Sequence, residues 1–332
     1  MIIKSITLTN FRNRTHYQME CNDEVSLILG SNGWGKTSIL EAIYILTRGK
    51  SFRATDKDII KRDTEFYRIT LEYYNGESIT ATYDGKTKTF TIADKKSKRL
   101  PAKHKYPIIL FVPSDLNLIS HSPGRRRDYF DQIFSQLDEN YSSNLSKYNK
   151  AIKQRNELLK SDQVTKESLF SWNLLLAKYG SLISQKRQTY TTEINFRLTS
   201  TYHSIAKNDD EIDLTYHTEV TTPTESVYLK ALEQSTERDI YLGHTSFGIH
   251  RDDYIFSFNH QIADTTASRG ETRSVILALK FIEAALITET LGKNPIILLD
   301  DVFSELDADR RRCLVENFKH HQVIITSVES IE

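Results

Sequence analysis

The sequence predicts an α/β fold interrupted by a helical insertion, and three observations lead to this prediction. Apolar, strand-like runs stand near both ends of the chain, at 25–29 and 295–299, as expected of buried strands in one sheet. Residues 66–91 are rich in Tyr, Thr and Ile and carry Asn-Gly and Asp-Gly turn signals, which predict an antiparallel meander. From 125 to 204 the chain has no proline and one glycine, which favours long helices.

The periodicity of apolar residues predicts the other elements. Residues 2–8 alternate apolar and polar positions, as a half-buried strand does, and residues from Lys36 onward place their apolar side chains on one helical face. In the central region, two helices separated by the polar stretch 161–166 predict a short αα-hairpin. We also predict strands at 107–112 and 323–325 and a helix at 271–290.

These elements predict two lobes built from three segments of the chain. The α/β lobe takes residues 1–112 and 235–332, so that both ends of the chain build one lobe, and the helical lobe takes residues 113–234.

Composition excludes several classes of protein. Of the 332 residues, 44 are Lys or Arg and 44 are Asp or Glu, so any nucleic-acid surface must be a local patch on a neutral chain. The two cysteines, Cys21 and Cys313, fit neither a disulfide framework nor a zinc site. No apolar run approaches the length of a membrane span. We therefore expect a soluble cytoplasmic protein.

A glycine-rich loop between the second predicted strand and the following helix fits G-x-x-x-x-G-K-[ST]. In such a loop the backbone N–H groups and the helix N-terminus surround phosphates. Lys36 is expected to reach the β- and γ-phosphates of ATP and Thr37 to bind Mg²⁺ through its hydroxyl. The predicted nucleotide contacts are Gly30, Ser31, Asn32, Gly33, Trp34, Gly35, Lys36, Thr37 and Ser38.

A phosphate-binding loop needs an acidic partner, and the apolar strand at 295–299 ends in one. Asp300 and Asp301 follow that strand, at the sheet edge where ligands bind in such folds. We assign Asp300 to the metal, directly or through water. We assign Asp301 to the attacking water, as general base.

A third motif narrows the class of ATPase. Ser268-Arg269-Gly270-Glu271 precedes the last long helix and resembles the ABC signature, in which Ser and Gly at a helix start bind a γ-phosphate. By itself this tetrapeptide is a weak signal, and a solvated helix cap explains it better. The order of phosphate loop, signature, acidic strand and a D-loop-like segment at 304–307 matches an ABC-type ATPase head. In that architecture Ser268, Gly270 and Asp307 complete the site of a second copy, which implies an ATP-dependent homodimer.

Further segments resemble the RecF family of ABC- and SMC-like ATPases across nearly the whole chain. The segments are Asn10-Phe11-Arg12-Asn13, Lys50-Ser51-Phe52-Arg53, 111–131, 148–159, Gly248 to Asp253, Ala267 to Arg273 and Asp300 to Asp307. Two of these segments depart mildly from the family pattern, since Ile249 stands where Pro is usual and Glu271 where Gln is usual.

The resemblance implies an ABC-type head whose lobe I has a mixed sheet with an antiparallel meander and whose lobe II is helical. It implies a slow Mg-dependent ATPase that acts as a conformational switch and binds DNA when dimeric. It also implies work with RecR and RecO in loading RecA at gaps, in support of replication and the SOS response. Arg12 would contact a nucleotide phosphate, and Thr326 would occupy the switch position that other ABC proteins fill with His.

Basic segments are the candidate DNA contacts, because Lys and Arg neutralise the phosphate backbone. A solvated charged surface explains each of them as well. The candidates are Lys95, Lys96, Lys98 and Arg99 in one loop and Lys147, Lys150 and Lys153 along one helix. Other basic residues near these segments are Lys103, Lys105 and Arg125-Arg126-Arg127.

Other functions remain open on the motifs alone. The chain could be the ATPase subunit of an ABC transporter, although its helical insertion is large for one. It could also be a short-armed SMC-like chromosome protein, although the hairpin is short and no CxxC hook is present. A nuclease with an ABC head would need a further acidic catalytic domain, for which the chain has no room.

Overall fold

The computed structural model describes residues 1–161 and 164–328. The strands are β1 Ile3–Phe11, β2 Arg14–Glu20, β3 Val25–Leu29, β4 Tyr67–Tyr73, β5 Ser78–Tyr83, β6 Lys88–Ile92, β7 Lys95–Ser97, β8 Ile108–Phe111, β9 Ile212–His217, β10 Asp253–Phe258, β11 Gln261–Ile262, β12 Ile296–Asp300 and β13 Val323–Ser327. The α-helices are α1 Lys36–Arg48, α2 Asp56–Ile59, α3 Pro123–Leu137, α4 Glu139–Leu158, α5 Lys166–Ala206, α6 Glu225–Gln234, α7 Thr236–Leu242, α8 Ala263–Thr266, α9 Arg269–Leu291 and α10 Ala308–Phe318. Short 3₁₀ helices span Ala102–His104, Pro113–Asn117 and Val302–Glu305.

The chain forms two compact units. Unit 1 comprises Met1–Asp115 and Glu283–Glu332, and unit 2 comprises Leu116–Ile282. In unit 1 an antiparallel sheet has the strand order β2-β1-β4-β5-β6-β7, and a parallel sheet has the order β3-β13-β12-β8. Helix α1 contacts strands of both sheets, and its apolar side chains join one core with them. The parallel and antiparallel strands expected in the mixed sheet of lobe I are therefore divided between two sheets.

The parallel sheet brings the two ends of the chain together. Strand β12 is buried along its whole length, as its apolar run predicts, and β13 is buried as well. Strand β13 pairs with β12 on one side and with β3 on the other, with Asp300 opposite Thr326. The carboxyl ends of these parallel strands thus share one edge, where ligands bind in such sheets.

The predicted meander is confirmed as β4, β5 and β6, with Gly76 and Gly85 at positive φ in the turns. Strand β2 was not predicted from the sequence, and it pairs with β1 through six residue pairs. The strand predicted at 2–8 extends to Phe11, and a register shift between Ile3 and Ser5 breaks its alternation.

Unit 2 contains the predicted αα-hairpin of α4 and α5, which pack against each other. Of the predicted polar connection, Asp162 and Gln163 lie outside the described residues. The antiparallel sheet β11-β10-β9 that accompanies the helices was not predicted from the sequence.

The second predicted boundary differs from the division in the structure. Residues 235–282, which were expected in the α/β lobe, belong to unit 2. Strand β10 pairs with β9 through six residue pairs, and Tyr254 of β10 lies 4.1 Å from Phe130 of α3 between ring centroids. These contacts join β10 to the core of unit 2, and the division falls within α9.

Candidate nucleotide-binding site

A polar cavity of about 810 Å³ lies in unit 1 beside the loop that joins β3 to α1. Most of the predicted phosphate loop lines it, together with cationic and acidic side chains from other segments. The lining residues are Arg12, Asn13, Ser31, Asn32, Gly33, Gly35, Lys36, Thr37, Ser38, Arg53, Asp58, Ile60, Lys61, Arg62, Asp63 and Asp301.

The loop conformation depends on glycine at two positions. Gly33 has φ 82° and Gly35 has φ 96°, a region that L-residues rarely adopt. A Cβ at Gly35 would also lie 2.7 Å from Asn13 Oδ1. Asn13 Nδ2 donates to the Gly33 carbonyl at 3.2 Å. The Asn-Phe-Arg-Asn segment therefore packs directly on the loop.

Lys36 is held inside the site rather than in solvent. The residue is 4% exposed, and its Nζ donates to the Gly30 carbonyl at 2.7 Å. Asp301 Oδ2 lies 3.4 Å from the same ammonium. The Lys36 ammonium thus lies inside the phosphate loop, with the Gly30 carbonyl and the Asp301 carboxylate as its neighbours.

Thr37 and Asp300 meet as the metal assignment predicts. Thr37 Oγ1 donates to Asp300 Oδ1 at 2.9 Å, and Thr326 Oγ1 donates to the same oxygen at 2.9 Å. Burial raises the pKa of Asp300, and the negative charge of Asp301 raises it further, while the two hydroxyl hydrogen bonds oppose the rise. A carboxylate and a hydroxyl are ligands that Mg²⁺ prefers.

Asp301 adopts a left-handed backbone conformation, with φ 53°. Its N–H donates to Thr326 Oγ1 at 2.9 Å, so the residue at the predicted switch position fixes the turn. Asp301 Oδ1 is buried and has no hydrogen-bond partner among residues 1–161 and 164–328. This carboxylate oxygen can accept a hydrogen bond from a ligand or a water molecule.

Trp34 contributes differently from the other predicted loop residues. Its ring packs on Gly30, where an added Cβ would lie 2.9 Å from the indole, and edge-on against Tyr17. The guanidinium carbon of Arg14 lies 3.7 Å from the centre of the Trp34 ring. The side chain thus anchors the loop to β2. Arg14 and Tyr17 were not predicted as part of the site, because β2 itself was not predicted.

Arg12 lines the cavity, as its predicted phosphate contact requires, but its guanidinium also forms a two-pronged ion pair with Glu41. Arg53, from the Lys-Ser-Phe-Arg segment, contacts the same carboxylate. Glu41 was not predicted as a site residue, although an acidic residue on the apolar face of α1 was a signal for it.

Of the three residues predicted to act across a dimer, Ser268 and Asp307 each cap a helix locally. Ser268, in unit 2, accepts the N–H of Glu271 at 3.2 Å, and Glu271 Oε2 accepts the Ser268 N–H at 2.6 Å. Gly270 follows in the first turn of α9. Asp307, in unit 1, accepts the Arg310 N–H at 2.9 Å at the start of α10. Ser268 and Asp307 are both exposed.

The candidate DNA contacts are exposed side chains. Lys95 and Lys96 lie on β7 at the edge of the antiparallel sheet of unit 1, and Lys98 and Arg99 follow it. Lys147, Lys150 and Lys153 are exposed on α4 of unit 2. By contrast, Arg126 pairs with Asp253 at 2.6 Å and Arg127 donates to the Asp252 carbonyl, so these arginines stabilise unit 2 internally.

The Gly-Ile-His-Arg-Asp-Asp segment is a buried polar junction of unit 2. His250 Nδ1 lies 3.0 Å from Tyr148 Oη, and burial lowers the pKa of His250 to about 4. Asp252 lies 3.6 Å from the buried Arg187. The Ile249 carbonyl, at one of the two departures from the family pattern, accepts from Arg187 at 2.8 Å.

No helix within 1–161 and 164–328 combines the length and the apolar character that crossing a membrane requires.

Comparisons with known proteins agree with this geometry. A family model described as AAA ATPase domain matches residues 1–237. The DNA replication and repair protein RecF of Ruminiclostridium cellulolyticum is 33% identical to this chain in an alignment 343 residues long. The alignment covers 98% of this chain and 92% of the relative.

Solved structures show the same fold. A structure of the recombination mediator protein RecF-ATP in the RecFOR pathway aligns with a TM-score of 0.88 at 27% identity, over 100% of this chain and 93% of the other. The Smc head domain of Pyrococcus furiosus aligns with a TM-score of 0.53 at 13% identity, over 99% of this chain and 90% of the other, which is a similarity of fold.

Proposed function

Because the chain belongs to the RecF family and its first 237 residues match the AAA ATPase domain model, we propose that it is an ATP-dependent DNA-binding protein of recombinational repair. Two copies dimerise with ATP, clamp DNA at gaps and help RecO and RecR load RecA. This activity supports replication and the SOS response in the cytoplasm. The observation that carries the proposal is the convergence of Lys36, Thr37, Asp300 and Asp301 at one edge of a parallel sheet.

The residues of the cavity fit Mg-ATP. The loop at 30–37 supplies backbone N–H groups and Lys36 for the phosphates, while Thr37 and Asp300 supply oxygen ligands for the metal. When bound, Mg²⁺ neutralises charge on the phosphate oxygens and so favours cleavage of the terminal phosphate. Mg²⁺ commonly takes only one or two protein ligands and completes its shell with phosphate and water, so this pair suffices.

Asp301 is the proposed general base of a slow ATPase. Its buried Oδ1 can accept a hydrogen bond from water, while Oδ2 stays near the Lys36 ammonium. Thr326 holds the backbone of Asp301 and the side chain of Asp300 at the same time. Thr326 thereby links the metal ligand to the base, as a residue that detects the state of the nucleotide would need to do.

Dimerisation places Ser268, Gly270 and Asp307 of one copy at the nucleotide of the other. Ser268 uses its Oγ lone pair to cap α9, so its hydroxyl proton stays available for a phosphate oxygen. The helix N-terminus adds a favourable dipole for the negative charge. Each copy thus holds half of two sites, and hydrolysis weakens the interface because these contacts need the terminal phosphate.

Family membership favours this function over an ABC transporter subunit or a short-armed chromosome protein. The transporter interpretation requires a membrane partner, whereas the proposal requires DNA. We propose that DNA contacts the basic residues after β6 and those along α4 in the dimer. The proposed contacts are Lys95, Lys96, Lys98, Arg99, Lys147, Lys150 and Lys153.

The test of this function is DNA affinity with ATP as a function of salt. Changing both basic sets to Ala should weaken binding and lower the slope of log affinity against log salt by about 0.9 for each duplex phosphate that is no longer neutralised. Lys4 and Lys230, which are exposed elsewhere, provide the Ala control. Unchanged affinity and slope in the basic-set variant would remove these surfaces from the proposal. No DNA binding by the unmodified dimer would remove the function.

A further inference from the structure

Two segments of unit 1 that stand apart in the sequence converge on one buried carboxylate. Glu41 lies in α1, five positions after Lys36, and it is 0% exposed. Arg12 comes from the Asn-Phe-Arg-Asn segment and Arg53 from the Lys-Ser-Phe-Arg segment. Both guanidinium groups contact Glu41 and both line the phosphate-loop cavity.

The contacts saturate the carboxylate. Arg12 donates from Nε to Oε2 at 2.9 Å and from Nη2 to Oε1 at 2.7 Å. Arg53 Nη2 donates to Oε2 at 2.9 Å, and Ser51 Oγ donates to Oε1 at 2.6 Å. Burial alone would raise the pKa of Glu41, but these hydrogen bonds outweigh it and hold the pKa below its ordinary value. The carboxylate is therefore ionised and held in one orientation.

Arg12 is fixed by its backbone as well. Its φ is 57°, its N–H donates to the Ile59 carbonyl at 2.7 Å, and its Nη1 donates to the Asp58 carbonyl at 2.9 Å. A guanidinium has five N–H donors, and these contacts use three of them. Two donors remain on Nη1 and Nη2, so Arg12 can contact a phosphate without releasing Glu41.

We propose that Glu41 is a positioning residue that presets Arg12 and Arg53 on the wall of the nucleotide cavity. This inference rests on the proposed function, in which that cavity binds the phosphates of ATP. Ordering a long side chain on binding costs affinity, and a side chain already held by a carboxylate avoids that cost. Glu41 therefore strengthens ATP binding although its own charge is negative.

A purely electrostatic role predicts the opposite outcome, and this makes the inference testable. Glu41→Gln removes a negative charge near the cavity, so charge alone would make ATP bind more tightly. The positioning role predicts weaker binding, by about tenfold, because two arginines lose their anchor. Glu41→Asp keeps the charge but shortens the side chain, so charge alone predicts no change and positioning predicts weakening.

The experiment measures the Kd for Mg-ATP of the full chain and of both variants, well below their melting temperatures. Weaker binding by both variants supports the inference. Binding by Glu41→Gln that is unchanged or tighter overturns it, and a lowered melting temperature with unchanged Kd identifies a merely structural role. If the unmodified chain does not bind Mg-ATP, the proposed function itself fails.

A milder variant covers the case in which Glu41→Gln does not fold. Ser51→Ala keeps both arginine side chains but removes the hydroxyl that donates to the Glu41 carboxylate and accepts the N–H groups of Arg53 and Ala54. The expected result is an ATP Kd raised about two- to tenfold, as for the loss of one modest hydrogen bond or slightly more. An unchanged Kd in a folded Ser51→Ala protein overturns the inference.

Discussion

Replacing Ser268 separates its capping of α9 from the role proposed for it at the nucleotide of a second copy. Ser268→Ala removes the acceptor of the Glu271 N–H, a 3.2 Å hydrogen bond at a helix N-cap. The loss of such a cap costs about 1 kcal/mol. For a domain of this size class that lowers the melting temperature by roughly 2–4 °C.

The effect on dimerisation should be larger, because the dimer contains the contact twice. A hydrogen bond to a charged group is worth about 1.5–3 kcal/mol, so removing two such bonds costs about 3–6 kcal/mol. The dimer Kd in ATP should rise by roughly 10²- to 10⁴-fold. Ser268→Arg should block dimerisation completely and leave ATP binding by the monomer nearly intact, because Ser268 does not line the cavity of unit 1.

Ser268→Asp is the matched control for the cap. Aspartate caps helices as well as serine does, so the melting temperature should stay close to that of the unmodified chain. Its carboxylate would nevertheless face a phosphate in the dimer and repel it. Sedimentation velocity with ATP, together with thermal melting, distinguishes the two effects. Normal dimerisation of Ser268→Arg, or of Ser268→Asp, would show that the site across the dimer is wrongly assigned.

Three further predictions concern single residues. Lys36→Met should abolish ATP-dependent dimerisation, because the ammonium that approaches the phosphates is removed, and a persisting ATP-dependent dimer in sedimentation would contradict this. Asp300→Asn should end Mg-dependent ATP hydrolysis yet raise the melting temperature of the nucleotide-free chain, because a buried charge beside Asp301 is removed; a lowered melting temperature would refute the argument. Burial lowers the pKa of His250 from 6.5 to about 4, so its neutral form stabilises the fold above pH 6.5 and this stability is lost as the pH falls toward 4. The loss is roughly 3 kcal/mol at most, and denaturant unfolding of His250→Gln across this range should show a flatter pH dependence than the unmodified chain.

The sequence predicts the site best where chemistry demands a local pattern. The phosphate loop needs glycines at positive φ, and the acidic strand needs an apolar run on two buried faces, so both are visible in single segments. Gly33, Gly35 and the Asp300-Asp301 pair were therefore recognisable without any knowledge of the pairing of strands.

The parts that depend on distant partners were not predictable in this way. Strand β9 pairs with β10 across a segment that contains two helices, and the sheet could not be derived from either strand alone. Arg155 and Arg187 are 0% and 1% exposed, whereas an arginine is expected at the surface unless its partner is known. The Arg155 partner Asp239 lies 84 positions away, at 2.7 Å.

The role of Glu41 could be predicted from the sequence only in part. Its position among Ile39, Leu40 and Ile43 on a buried helix signalled that a buried cation must accompany it. The sequence did not show which cations these were, because Arg12 and Arg53 reach it from opposite sides along the chain. The structure shows that Arg12 and Arg53 are these cations, and this pairing is the basis for the proposal that Glu41 positions both arginines on the wall of the nucleotide cavity.

The central claim is that ATP joins two copies of this chain around DNA. Sedimentation velocity of the unmodified chain, with and without Mg-ATP and with and without gapped DNA, tests it most directly. We expect a monomer without ATP, a dimer with ATP and co-sedimentation of the dimer with DNA. A sedimentation coefficient that ATP leaves unchanged at concentrations that saturate the cavity would contradict it.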